Sequence, residues 1–395
     1  MELLAPAGNY AKLMTAFYFG ADACYLGGKH LSLRSLSDNF TDEELRRAVE
    51  YAHARGKKVY VTVNIFAKNG DFAQIERFGK YLSEIGADAA LVSDPGVIYC
   101  MKNAAPDLKL HLSTQANTTN LYAVRFWREQ GLSRVVLARE LSLREIAEIH
   151  AAVPDMEIEA FCHGAMCISY SGRCLLSDYL DGRQSNRGAC VQACRWQYDI
   201  RKSGAGEDGG YLGVEEDERG TYFLNSKDLN LAAYLPQMEA AGVCSVKIEG
   251  RMKSEYYLAT VVNAYRRALD EGYSERVEQE LRNAAHRDYT TAYMLGENRK
   301  TVNYTDSQSK GDCEFIGTVL GRDGEYVCVE MRNRFRTGDT LEVLSPHVQG
   351  SFAVGEIVAP DRSLTDDAKL VQGIYRIQTK IPLEKGDILR RRRKN

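Results

Sequence analysis

The chain has 395 residues, 44% hydrophobic and 27% charged, a length for two average domains and a balance that excludes low-complexity disorder. Its 51 basic and 54 acidic residues leave a net charge of -3, which neither requires nor excludes a polyanionic partner, because binding follows local charge. No apolar run reaches the roughly 18 residues of a bilayer span, and Met1-Glu2-Leu3-Leu4-Ala5-Pro6-Ala7-Gly8 lacks a secretory signal's basic start and apolar core, so a cytoplasmic location without a membrane partner is expected.

Short β-like runs then alternate with helical ones. Strands are predicted at 2–7, 21–28, 58–66, 87–93, 110–115, 134–140, 157–162 and 245–249. Helices are predicted from Thr41, whose Thr41-Asp42-Glu43-Glu44 start is a capping box, and at 71–85, 121–130, 142–152 and 254–269. Gly20-Ala21-Asp22 and Gly86-Ala87-Asp88 read as helix-to-strand turns with glycine caps. Eight strands alternating with helices predict a (β/α)8, TIM-like barrel over 1–271. A doubly wound open sheet is the alternative, weakened because no G-x-G-x-x-G follows the first strand.

Side chains alternate across a strand. One face carries Val61, Val63 and Ile65, or Val246 and Ile248. The other carries Thr62 and Asn64; His111, Ser113 and Gln115; Glu157, Glu159, Phe161 and His163; and Ser245, Lys247, Glu249 and Arg251. The polar sets should meet inside the barrel and form a pocket at the carboxyl ends of the strands. The bland alternative is buried salt bridges that hold the barrel shut.

An insertion at 163–242 carries four of the ten cysteines, Cys167, Cys174, Cys190 and Cys194, spaced C-x6-C-x15-C-x3-C. Four thiolates hold zinc or an iron–sulfur cluster. The spread of six residues in the first pair is wide for zinc, and four unrelated cysteines are the third reading. Cys162 falls on the apolar face and is left out. Residues 204–220 read as a surface loop, and 272–310 as a helical linker. From 311 to 395, five or six short strands suggest a small all-β barrel, with a hairpin turn at Gly321-Arg322-Asp323-Gly324. Arg390 to Lys394 read either as a solvated basic tail or as a phosphate contact.

Glu159-x-Phe161-x-x-Gly164-Ala165-Met166-Cys167 and Ser171-Gly172-Arg173-Cys174-Leu175-Leu176-Ser177 resemble the signature of the collagenase-like peptidases, peptidase family U32. The opening residues 2–8, Asn225-Ser226-Lys227-Asp228-Leu229 and Val246-Lys247-Ile248-Glu249-Gly250-Arg251 fit as well, and the C-terminal module resembles the family's own. Within the family, Cys190-x-x-x-Cys194-Arg195-Trp196-x-Tyr198 points to the proteins of prephenate-dependent 5-hydroxylation of the tRNA wobble uridine. Related members act in 23S rRNA cytidine and ubiquinone hydroxylation. The resemblance implies a 4Fe-4S cluster on Cys167, Cys174, Cys190 and Cys194, tRNA and a dicarboxylate such as prephenate as substrates, and a paralogous partner protein. Glu249, His163, Glu159 and Lys247 are then the catalytic candidates. Arg251, Lys227, Arg187, Arg195, Asn64 and Gln115 are the substrate-binding ones, and Trp196 or Tyr198 would stack on a base.

Peptidase chemistry is the competing expectation. The sequence has no H-E-x-x-H helix and no G-x-S-x-G elbow. Adjacent Cys162 and His163 point to opposite faces of a regular strand. A non-catalytic iron–sulfur scaffold is the third class.

Overall fold

The computed structural model describes residues 1–32, 38–196, 225–296, 301 and 309–393. Loop 204–220, Tyr198 and Lys394 lie outside the described residues. These residues divide into two units. The first comprises Met1–Leu13, Asp22–Met252 and His286–Ser309, and the second Met14–Ala21, Lys253–Ala285 and Lys310–Asn395.

The first unit is built on β1 (Glu2–Pro6), β2 (Ala23–Gly27), β3 (Lys58–Val63), β4 (Ala89–Val92), β5 (Leu110–Leu112), β6 (Arg134–Val136), β7 (Glu157–Ala165), β8 (Asp228–Asn230), β9 (Val243–Ile248) and β10 (Tyr289–Thr290). Strands β1 to β7 pair in order and in parallel, and β9 pairs in parallel with both β7 and β1. Eight strands therefore close a barrel, and the open-sheet alternative is excluded. β8 runs antiparallel to β7, with Ala165 opposite Asp228, so the chain leaves and rejoins the barrel at the carboxyl end of β7. β10 extends that edge in parallel to β8.

The helices are α1 (Tyr10–Tyr18), α2 (Asp42–His53), α3 (Phe72–Glu84), α4 (Pro95–Ala104), α5 (Leu121–Glu129), α6 (Leu143–Ala152), α7 (Leu176–Asp181), α8 (Leu235–Ala240), α9 (Glu255–Glu271) and α10 (Glu275–Asn283). Local rules set their ends. Thr41 Oγ1 accepts from the Glu44 N–H at 3.2 Å, and Glu44 Oε2 accepts from the Thr41 N–H at 2.8 Å. Ser142 and Glu145 repeat the box at α6. Gly86, after α3, has φ +75°, a conformation that a side chain would strain. No helix among the described residues is long and apolar enough to cross a membrane.

Three predicted strands stop early. β3 ends at Val63, β5 at Leu112 and β6 at Val136. Past those points Asn64, Ser113, Gln115 and their neighbours leave the ladder and form the rim, where polar side chains are tolerated. Within the ladder the parity holds. Val59, Val61 and Val63 are fully buried outside the ring, facing the apolar stripe of α2 that includes Leu45, Ala48 and Ala52.

The second unit centres on an eight-stranded antiparallel sheet. Its order is 351–353, 340–344, 388–392, 313–323, 326–331, 374–378, 357–358 and 364–365. Its core includes Ile316, Val319, Val327, Val329, Leu341 and Leu389. The described pairings make a β-rich unit of its own, as the short strands predicted. The hairpin turns at Gly324-Glu325, because Asp323 pairs with Tyr326, and Gly321 sits at a register shift instead. The basic run is no tail. Residues 388–392 form an inner strand, where Arg390 meets Glu280 and Glu342, Arg391 meets Glu314 and Asp339, and Arg392 meets Glu342.

Candidate active site in the barrel mouth

The amino-terminal half of the barrel is filled by charge. Glu2 and Arg134 open β1 and β6, while Glu159 and Ser245 are third in β7 and β9. Arg134 Nη1 reaches Glu2 Oε1 at 2.6 Å and Glu159 Oε2 at 3.1 Å, and its Nε reaches Glu157 at 2.7 Å. Lys247 Nζ reaches Glu159 Oε1 at 2.8 Å. Ser245 Oγ donates within reach of Glu2 and Glu159, and Tyr60 Oη donates to Glu2 at 2.8 Å. Glu159 has no solvent exposure and Lys247 and Arg134 have 4% each. Desolvation raises the Glu2 carboxyl, but Arg134 and Tyr60 outweigh it and hold the group below its ordinary value. Burial, and then Arg134, hold the His111 imidazole well below its ordinary range. His111 packs edge-on against Tyr60 at 4.8 Å.

Above this layer the strands end in a polar mouth. Lys247 Nζ lies 4.4 Å from the centre of the Tyr25 ring. Tyr25 Oη contacts the Ile248 carbonyl at 3.0 Å and donates to Glu249 Oε2 at 3.2 Å. Arg251 is buried, with Nη1 on Thr62 Oγ1 at 3.0 Å and Nη2 on Ser32 Oγ at 2.8 Å and Asn39 Oδ1 at 3.0 Å. Asn64 donates to Ser113 at 3.3 Å. His163 lies near the Tyr289 ring, 5.4 Å between centroids. Beyond β5, Gln115 Oε1, Asn117 Oδ1 and Thr118 Oγ1 are buried and have no hydrogen-bond partner among the described residues. Buried polar atoms without partners are rare and mark a place for a ligand or water. Asn117 and Thr118 were missed in the sequence reading, although the polar run from Ser113 to Asn120 after an apolar strand was the available signal.

The cysteine segment lies over this mouth. A Cβ added at Gly172 would stand 3.3 Å from the Gln115 side chain, and its φ of +78° would strain any side chain there. Arg173 stacks 5.4 Å over Phe66. Arg187 donates to the Phe66 carbonyl at 2.6 Å and to both Asp71 oxygens at 2.9 and 3.2 Å. Arg195 reaches Asn225 Oδ1 at 3.1 Å and the Met166 carbonyl at 3.2 Å. Lys227 lies 3.8 Å from Asp288. Arg187 thus ties the segment to the loop after β3, and Arg195 ties it to the residues that lead into β8. Trp196 is 43% exposed, available for stacking.

The Cys194 thiol lies within electrostatic range of the other three. Burial pushes the Cys194 thiol up to about 11; Arg195 opposes this, and Cys167, Cys190 and Cys174 each add to it through their charge. Backbone N–H groups of Leu176 and Gln192 point at Cys174 and Cys190 sulfurs, both at 3.4 Å. Among the described residues, no three His, Cys, Asp or Glu side chains close tightly enough for a single metal ion. Cys162 stays out of the group, buried with its thiol on the Lys247 carbonyl at 3.4 Å.

Residues 8–304 match the family model described as Peptidase family U32, and residues 311–390 match its C-terminal domain. The chain is 43% identical over 368 residues to tRNA hydroxylation protein P1 of Bacillus subtilis (strain 168), covering 88% of this chain and 84% of the relative. It is 39% identical over 398 residues to tRNA hydroxylation protein P of Escherichia coli (strain K12), covering 89% and 88%. It is also 32% identical over 315 residues to a collagenase of Porphyromonas gingivalis (strain ATCC BAA-308 / W83), covering 75% and 74%.

Proposed function

The chain belongs to peptidase family U32, and from that premise we propose that it acts in the hydroxylation of tRNA, at carbon 5 of the wobble uridine with prephenate as co-substrate. The observation that carries the reading is 43% identity, across most of both chains, to a protein named for tRNA hydroxylation.

Carbon 5 of uracil bears no acidic proton, so proton transfer alone cannot oxidise it. A 4Fe-4S cluster held by Cys167, Cys174, Cys190 and Cys194 would supply the one-electron chemistry. Support for that group is the donor set. Cys194 feels the charge of the other three thiols, and Cys174 and Cys190 accept backbone N–H groups. Arg251, fixed by Thr62, Ser32 and Asn39, orients a carboxylate of the co-substrate at the mouth. Gln115, Asn117 and Thr118 offer their buried oxygens to its polar groups. Glu249, which accepts a hydrogen bond from Tyr25 at Oε2, is the candidate for proton transfer. Glu159 and Lys247 serve by closing the barrel beneath the site, not by touching substrate. A paralogous partner protein belongs to the same reading, and co-purification from native extract tests it.

The test is nucleoside mass spectrometry of tRNA from cells lacking this protein and its paralogues. The 5-hydroxyuridine derivatives should disappear; their persistence refutes the assignment. The likeness to a collagenase favours a peptidase as the second reading. Turnover of denatured collagen by the purified chain would support it. Against it, the Cys162 thiol is buried on a backbone carbonyl.

A further inference from the structure

The second unit contains a cavity of about 310 Å³ between α9, α10 and the sheet edge at 340–353. Arg267 on α9, Arg276 on α10 and Arg390 enter it, with Glu280, Glu342 and Asn263. Asn263 and Arg267 are four residues apart on α9, so they share one helix face.

The two carboxylates are already engaged. Arg390 grips both oxygens of Glu280, and Glu342 is shared by Arg390 at 3.2 Å and Arg392 at 3.1 Å. Arg267 and Arg276 have no carboxylate within 4.0 Å among the described residues. Arg267 is half-buried and Arg276 is exposed at the rim. Burial, and next the neighbouring Arg276, lower the Arg267 pKa from its ordinary value, while Glu271 and Glu280 offset only part. Two guanidinium groups that line one cavity whose own carboxylates are held by Arg390 and Arg392 form an anion site.

We propose that this cavity binds a backbone phosphate of RNA, with Arg267 and Arg276 as the phosphate ligands. The proposal rests on the tRNA reading above. A chain of net charge -3 gains affinity for RNA only where its cations are concentrated. Planar guanidinium donors match phosphate oxygens, and such contacts position a nucleic acid without reading its bases.

The test is binding of labelled tRNA to the full chain by fluorescence anisotropy over a range of salt. Arg276→Gln and Arg267→Gln should each weaken binding about tenfold and reduce the slope of log K against log salt by about one. Arg267→Lys should recover most of the slope. Arg276 is exposed, so its replacement tests the site even if Arg267→Gln misfolds. If the wild-type chain binds tRNA and Arg276→Gln keeps affinity and slope, the phosphate site is overturned and the tRNA reading stands. If the wild-type chain binds no tRNA, both fail; inorganic phosphate raising its melting temperature, and not that of Arg276→Gln, would then make a small phosphate compound the ligand.

Discussion

Glu159→Gln should destabilise the barrel by about 3–5 kcal/mol, the cost of leaving a buried charge uncompensated. Glu2 and Glu159 balance Arg134 and Lys247 in the buried network, and Glu159 alone has contacts from Lys247 at 2.8 Å, Arg134 at 3.1 Å and Ser245 at 3.3 Å. Glutamine keeps the shape but leaves one net positive charge inside. Its amide nitrogen also faces a cationic donor, whichever way it turns. Adding Lys247→Met restores neutrality, so the double variant should recover about 2 kcal/mol relative to additivity. Hydrogen exchange of the β7 and β9 amides measures this in the barrel alone, which matters because two units need not unfold together. A loss under about 1 kcal/mol, well below that expected for a buried pair, together with abolished hydroxylation, would refute the structural role and return Glu159 to the catalytic set.

Other outcomes follow from the same geometry. His111 is held neutral by burial, so its folded pKa lies below its unfolded one. The unfolded chain then binds more protons below about pH 6.5, and stability, full above that pH, falls by up to about 1.4 kcal/mol per unit as pH drops. His111→Gln should flatten this slope between about pH 6.5 and 5, and an unchanged slope in a urea titration would contradict it. Protein purified without oxygen should carry about four iron and four sulfide per chain, lost in Cys174→Ala; zinc in their place would remove the oxidative mechanism. Arg187→Ala breaks a bidentate pair to Asp71 and a bond to Phe66, so it should cost about 1–2 kcal/mol and speed proteolysis within 167–196. Unaltered cleavage would show that Arg187 does not anchor the cysteine segment.

The sequence by itself determined the eight strands, their parity and the helix starts. Each follows from neighbours along the chain: period-two alternation for Val59, Val61 and Val63, and a side chain reaching three residues on for Thr41 and Ser142. The family was legible in the same way, as residues at fixed spacing. The closed ring was the expected reading, and what only the structure decided against the open-sheet alternative is β9 meeting both β7 and β1 across more than 80 residues of chain. The division of the polar face was not legible along the chain. Glu159 and Lys247 share the parity of His163 and Arg251, but the first two form an ion pair, Arg251 is held by Thr62, Ser32 and Asn39, and His163 lies near the Tyr289 ring. Arg390 to Arg392 show the same limit. A basic run reads as solvated until the strand it forms is seated between partners that bring carboxylates to it. Charge partners are chosen in three dimensions, and only the tertiary structure decides whether a polar residue binds its own chain or something else.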